Sequence, residues 1–389
     1  MHWIDTAEEL KKISKELSAE KIIALDTEFI RESTFFPHIA LVQVASASKA
    51  WIIDVVKLTK DELAPLFKVF QDQNILKVLH AAQADQECLY NSFGVIASPS
   101  FDTAEAASLV GLGSNKSLQS LLEDVLHVKI QKGHARSNWL ERPLPQRLQE
   151  YALADVDHLV ALAQKLISKL EKLDRYQQAL VLSQKWENYE LFISNPTKIA
   201  ERLAKSGKVD QRGFALLTEL IAWRENQAIS HNIPRKRVAD DGTLLDVART
   251  KPKTIKQLGL LRGLQKQFLR KEGEILLGII ETAEHLAKAD LPTLPERKRN
   301  AEKNSQLADI ISCAVKLLAK RHRIASQHLI SKEAIDELSG IKNPNLKILL
   351  SKKILSPENA KLIGEDLLSL LSGKTVLMID KGKAVLKRI

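Results

Sequence analysis

Apolar positions follow two different periods along this chain, and the change falls between residues 150 and 160. Before it, short β-rich runs ("KIIALDTEF", "IALVQVAS", "KAWIIDVV", "NILKVLHA") alternate with stretches of helical period ("DELAPLFKVFQ", "ADQECLYNSFG", "FDTAEAASLV"). The first three runs lie close enough for antiparallel pairing. Gly94 marks a helix end; Asp102 marks a helix start, with Glu105 placed to complete a capping-box-like pair. The pattern predicts an α/β domain whose sheet is part antiparallel and part parallel. From about Glu150 the period stays helical. Ser194–Gly213 reads as a connector, 210–290 as a helical block, the Pro- and charge-rich Leu291–Ser305 as a linker, and 306–389 as a second helical block. "LIAWRENQA" (Leu220–Ala228) resembles "LLAKRHRIA" (Leu317–Ala325), which favours a duplicated module.

Composition adds limits. A chain of 389 residues is too long for one ordinary domain, and 44% hydrophobic content with 15 Gly and 12 Pro reads as ordered and globular. Cys88 and Cys313 lie too far apart in sequence to suggest a disulfide framework or a zinc knuckle. The N-terminal "MHWIDTAEELKKISKEL" has no apolar signal core, and no run of about 18 apolar residues occurs, so a cytoplasmic protein without membrane contact is expected. The net charge of +10 is segregated. Residues 1–190 hold 21 Lys+Arg against 26 Asp+Glu, a net of −5; the remainder holds 37 against 22, a net of +15. The second half is built to attract a polyanion, while the first half keeps its carboxylates for another purpose.

Those carboxylates have a pattern. Asp26 and Glu28 sit two apart at the end of an apolar strand and therefore face the same way. Asp85 opens a helix just after the strand "ILKVLH", the kind of turn where ligands gather in α/β sheets. Asp155 follows Tyr151 by one helical turn, so phenol and carboxylate share a face, and Asp157 points elsewhere. Unpaired buried charges cost several kcal/mol each, which weakens a purely structural reading of Asp26 and Glu28. Divalent cations among the acids reverse that logic. Oxygen-only donors suit Mg²⁺ or Mn²⁺, and two such ions can clamp the attacking and leaving oxygens of a phosphodiester displacement. Asp85 alone is undecidable, and Asp102 reads first as a helix cap.

The same residues carry a resemblance. "ALDTEFIRESTFFPHIALVQVA", "KVLHAAQADQECL" and "YALADVDHLVAL" resemble the three exonuclease motifs of the ribonuclease D group of DEDD 3′–5′ exonucleases, in the variant with Tyr four residues before Asp. "KGHARSNWLERPL" (Lys132–Leu144) resembles the segment before the third motif. Asn138 stands there where the family commonly has Asp, and Gly133 where Ser often follows the Lys. Leu216–Gly263 is similar to the helical HRDC domain, and the last block to a diverged second copy.

The resemblance implies a ribonuclease H-like mixed-sheet exonuclease domain followed by two all-α HRDC-type domains, with bounds 1–195, 210–291 and 304–389. It implies two divalent metals held by Asp26, Glu28, Asp85 and Asp155, with Tyr151 orienting water. It further implies release of 5′-monophosphates and 3′ maturation of tRNA and other small structured RNAs, with RNA as partner and no obligate protein partner. Phe29, Gln43, His80, Arg235, Lys236 and Arg237 are candidate substrate contacts. Phe29 reads equally as a base-stacking platform or as core, and His80 more readily as a core histidine. A DNA-directed exonuclease and a catalytically silent RNA-binding adaptor are the alternatives.

Overall fold

The computed structural model describes residues 2–130, 133, 137–264, 266–295 and 304–389. Lys132 and most of the expected 291–305 linker lie outside these residues. The first domain is built on a six-stranded sheet: β1 (His2–Ile4), β2 (Ile22–Ile30), β3 (His38–Ala45), β4 (Ala50–Ile53), β5 (Leu76–Leu79) and β6 (Ser100–Asp102). Their order is β1-β4-β3-β2-β5-β6. The β2–β3–β4 meander is antiparallel, and β1, β5 and β6 add in parallel, giving the expected mixed sheet.

Alternation sorts the strand residues by face. Ile23, Leu25 and Phe29 of β2 join Val42 and Val44 of β3 beneath α1 (Ala7–Leu17), α2 (Ala64–Gln71) and α3 (Gln83–Phe93). Ala24 and Ile30 face the other way with Leu41 and Ile52, toward a helical layer. That layer is α4 (Thr103–Leu109), α5 (Leu118–Leu126), α6 (Gln146–Asp157), α7 (Leu159–Lys172) and α8 (Tyr176–Gln184). Each large aliphatic side chain buried in these layers contributes roughly 1.5–3 kcal/mol. Asp26 and Glu28 fall on the α6 face by the same alternation.

Two features bring the end of β2 into use. β5 meets β2 only along Ile22–Ala24, so beyond Ala24 one flank of β2 has no neighbouring strand among the described residues. The β2–β3 register also shifts between Glu28 and Phe29, leaving Ala40 as the extra residue of a bulge, a device that re-aims side chains at the rim of a sheet.

The second helical block comprises α9 (Pro196–Ser206), α10 (Gln211–Ser230), α11 (Arg235–Val238), α12 (Asp241–Thr250), α13 (Ile255–Leu260) and α14 (Lys266–His285). The stretch expected as a connector is corrected here: α9 is a capped helix, with Asn195 accepting from the Lys198 N–H at 3.0 Å, and it buries Ala200, Leu203 and Ala204 in this block's core. The third block is α15 (Ser305–His322), α16 (Ser326–Leu329), α17 (Lys332–Ser339), α18 (Leu346–Ser351) and α19 (Pro357–Leu371). It is not all-α, because it ends in a hairpin of β7 (Thr375–Asp380) and β8 (Lys383–Arg388), turned at Lys381 and Gly382 with φ of 46° and 74°. Positive φ at both central residues is what a tight hairpin turn demands.

The helix boundaries of the two blocks correspond in a different register from the one the matching strings suggest. The helix starts Arg235 and Ser326, Asp241 and Lys332, Ile255 and Leu346, and Lys266 and Pro357 are each 91 residues apart. Short amphipathic strings match one another at several registers, whereas successive helix boundaries allow one. The third block shares a continuous apolar core with the first domain's α4, α5 and α7. Gly111 permits the approach: a Cβ there would lie 2.7 Å from the Arg323 Cα. No helix among the described residues is long and apolar enough to cross a membrane.

Candidate active site

Asp26 and Glu28 project from β2 toward α6, which returns Asp155 to them. One carboxylate oxygen from each of the three lies within 4.8 Å of the others. Tyr151, one turn before Asp155, hydrogen-bonds that carboxylate through its phenol. Its ring packs on fully buried Trp139 at 6.0 Å between centroids. Asp85 approaches from α3 and is tied down separately. It accepts from Thr27 twice, from the N–H at 3.1 Å and from the hydroxyl at 2.6 Å, where β5 has ended and no strand meets that N–H.

Burial dominates the electrostatics. It raises Asp26 far above the usual carboxylate range, and the charges of Asp85, Asp155 and Glu28 push in the same direction. Glu28 is pushed up to about 9 by burial and by Asp155 and Asp85. Asp85 rises to about 7 by burial, against the lowering effect of its Thr27 bonds. Asp155 rises to about 6, with the Tyr151 hydrogen bond holding it lower than burial alone would. Burial, followed by the neighbouring acids, raises the Tyr151 phenol, so it stays protonated and donates. Four acids so placed cannot all ionise on their own. An all-carboxylate donor set of this spacing fits hard divalent cations and offers neither thiolate nor imidazole.

What holds α6 in place escaped the sequence reading. Arg142 forms a two-point ion pair with fully buried Asp54 at the end of β4, Nε to Oδ2 and Nη2 to Oδ1 at 2.6 Å each. The same guanidinium donates to the Trp139 carbonyl at 2.8 Å and to that of the bulged Ala40 at 3.3 Å. The segment leading into α6 is thereby fixed to the sheet rim that carries Glu28. The one available signal was Asp54 in "WIIDVV", an acid ending an apolar strand as Asp26 does.

The candidate substrate residues scatter. Phe29 lies on the face opposite the carboxylates, against the core beside Ile39. Gln43 stands directly across the ladder from Asp26 but is 0% exposed, so in this state its amide meets neither solvent nor an incoming nucleotide. His80 bonds the Thr103 hydroxyl through Nδ1 at 2.9 Å, and burial lowers its pKa. Asp102 is a cap, as read: it accepts from Ala104 at 2.8 Å and also from Ala81 and Ala82 at 2.9 Å each. Its own N–H goes to the Ser183 hydroxyl at 2.8 Å, so no capping box forms with Glu105. Arg235 is occupied by Glu225 at 2.7 Å, whereas Lys236 and Arg237 are exposed.

Comparison with known proteins identifies the family of the chain. A family model described as 3′–5′ exonuclease matches residues 1–171, and one described as HRDC domain matches residues 213–280. Ribonuclease D of Granulibacter bethesdensis is 32% identical, with 98% of this chain and 95% of that protein covered. Ribonuclease D of Zymomonas mobilis is also 32% identical, covering 98% and 96%. The crystal structure of Escherichia coli RNase D, described as an exoribonuclease involved in structured RNA processing, superposes with a TM-score of 0.79 at 27% identity over 96% of this chain and 98% of that one. With relatives of this identity matched along nearly their full length, the chain belongs to the ribonuclease D family.

Proposed function

We propose that this exoribonuclease works with two divalent ions, Mg²⁺ or Mn²⁺, held by Asp26, Glu28, Asp85 and Asp155. It releases 5′-monophosphates one at a time and trims the 3′ ends of tRNA precursors and other small structured RNAs in the cytoplasm. The observation that carries this reading is the convergence of Asp26, Glu28 and Asp155 within 4.8 Å, with the Tyr151 phenol on Asp155. The exonuclease family is divalent-metal dependent. When bound, such ions supply the positive charge that stabilises the attacking and leaving oxygens of a phosphodiester displacement.

The chain's own residues do the rest. Asp26 and Glu28, fixed by the ladder to β3, and Asp155, carried by the pinned α6, hold the acid set together without substrate. Thr27 keeps Asp85 aimed beside it. Tyr151 stays protonated and presents its hydroxyl at Asp155, where it orients the attacking water. The acidic site trims the free end while the basic second half, with exposed Lys236 and Arg237 on α11, holds the RNA body through its phosphates. Three domains serve this division, 1–195, 210–291 extended back to Pro196 so that it takes in α9, and 304–389, the third taken as a diverged HRDC-type copy.

The test is product chemistry. A uniformly labelled tRNA precursor is digested with Mg²⁺, Mn²⁺ or EDTA and the products are chromatographed. Nucleoside 5′-monophosphates formed only with metal are expected; 3′-monophosphates or internal fragments would overturn the reading.

A further inference from the structure

The loop between β2 and β3 belongs to the exonuclease domain by sequence, yet its tip is buried in the second domain. Phe35 is 8% exposed and sits in the apolar core formed by α9–α14, with Phe36 packed against it. The Asn232 side-chain oxygen accepts hydrogen bonds from the N–H groups of both Phe35 and Phe36, at 3.1 Å each. Arg235 lies 4.5 Å over the Phe35 ring, and its Nε is fixed by buried Glu225 at 2.7 Å. At the base of the loop, Arg31 donates to the Phe35 carbonyl at 3.2 Å and to Glu87 at 2.7 Å. Glu87 lies two residues beyond Asp85 on α3, and Arg31 lies three beyond Glu28 on the chain.

The strand end needs such support. Past Ala24, β2 is held by β3 on one flank only, and that ladder slips at Glu28. Strand ends with few backbone partners are the segments that open most readily. Grip at the far side of the loop restrains the piece that carries Glu28.

The same device occurs twice. Asn232 takes φ of 46° at the corner after α10, and 91 residues on Arg323 takes φ of 50° at the corner after α15. That second corner also docks on the exonuclease domain: Arg175 donates to the His322 and Arg323 carbonyls at 2.9 and 2.8 Å, and the Ala325 N–H donates to the Ser108 carbonyl at 2.7 Å.

We propose that the Asn232–Arg235 corner is a latch that positions Glu28 and Asp85 through residues 31–36, making the second domain part of the hydrolytic site as well as a holder of RNA. This rests on the reading of Glu28 and Asp85 as the site's acids. Asn232, Phe35 and Arg235 are then positioning residues.

The test uses the full chain and two substrates, a tRNA precursor and a 5′-labelled RNA dinucleotide. The dinucleotide has one phosphodiester, so nothing remains for a second domain to hold. Asn232→Ala and Phe35→Ala are expected to lower kcat on the dinucleotide at least tenfold, with KM within about twofold, and to weaken Mn²⁺ affinity measured by calorimetry. Asn232→Asp keeps the acceptor and is expected to keep the wild-type rate; because Asn232 is exposed, this pair also separates the latch from misfolding. Dinucleotide kcat and Mn²⁺ affinity unchanged in Asn232→Ala, with loss confined to KM for the precursor, would overturn the latch. Asp155→Ala, run alongside, reports separately on the site: if it remains active, the assignment of the acids fails whatever the latch variants do.

Discussion

Thr27 gives both of its hydrogen-bond donors to one oxygen of Asp85, the N–H at 3.1 Å and the hydroxyl at 2.6 Å. The carboxylate stands where a further strand would have paired, so the sheet's own geometry aims Asp85 at its neighbours.

Thr27→Val keeps the shape and the N–H bond and removes the hydroxyl. Groups that orient metal-site carboxylates are typically worth about 10–100-fold in metal affinity or activity. A fall of about tenfold in kcat is expected, accompanied by weaker Mn²⁺ binding in calorimetry. Unchanged Mn²⁺ binding would show that Asp85 does not depend on this contact.

Tyr151→Phe separates orientation of water from metal holding. The phenol is a donor to Asp155 and is not among the three converging acids. Positioned proton donors and acceptors contribute about 10²–10⁴-fold, so kcat is expected to drop by about 10²-fold while RNA affinity and Mn²⁺ binding hold. Loss of Mn²⁺ binding would mean that the tyrosine supports the cation instead.

The buried acids make stability depend on pH. Folding raises Asp155 to about 6, Asp85 to about 7 and Glu28 to about 9. The folded protein therefore binds more protons than the unfolded chain above the ordinary carboxylate range. This contribution is complete below about pH 4 and is lost as pH rises through the folded values. Without metal, the melting temperature should fall from pH 5 to pH 8, and Mn²⁺ should raise it more at pH 8 than at pH 5. Calorimetry should show proton release on binding. An equal Mn²⁺ shift at both pH values would speak against the acids as ligands.

Arg142→Ala leaves Asp54 buried without its partner. Breaking a buried pair costs roughly 3–5 kcal/mol, and here it also frees the segment that leads into α6. Urea unfolding should show that loss, and activity below the melting point should fall with it. A loss under about 1 kcal/mol would mean the clamp is replaceable.

Much of this site was legible along the chain. β2 and β3 read as continuous β-rich apolar runs, with Asp26 and Glu28 interrupting the first, and α6 sets Tyr151 and Asp155 one turn apart. That local order was enough to bring out the acids. The three-residue strands β1 and β6 are too short to show any period. The α9 helix hid behind Pro196 and a polar majority of residues. Arg142–Asp54 and Asn232–Phe35 join positions 88 and 197 residues apart, and such pairings leave no periodic trace. Phe29 and Gln43 were nominated by closeness in sequence to the motifs, and Arg235 by its place in the basic run "RKR". Strand alternation, burial and the Glu225 pair sent them elsewhere.

The measurement that bears most directly on the account is a time course on a 5′-labelled tRNA precursor with a short 3′ trailer, comparing wild type and Asp155→Ala with Mg²⁺, Mn²⁺ or EDTA. The account predicts a metal-dependent ladder shortening from the 3′ end, absent in Asp155→Ala although the RNA is still bound. A ladder that persists in Asp155→Ala or in EDTA would contradict it.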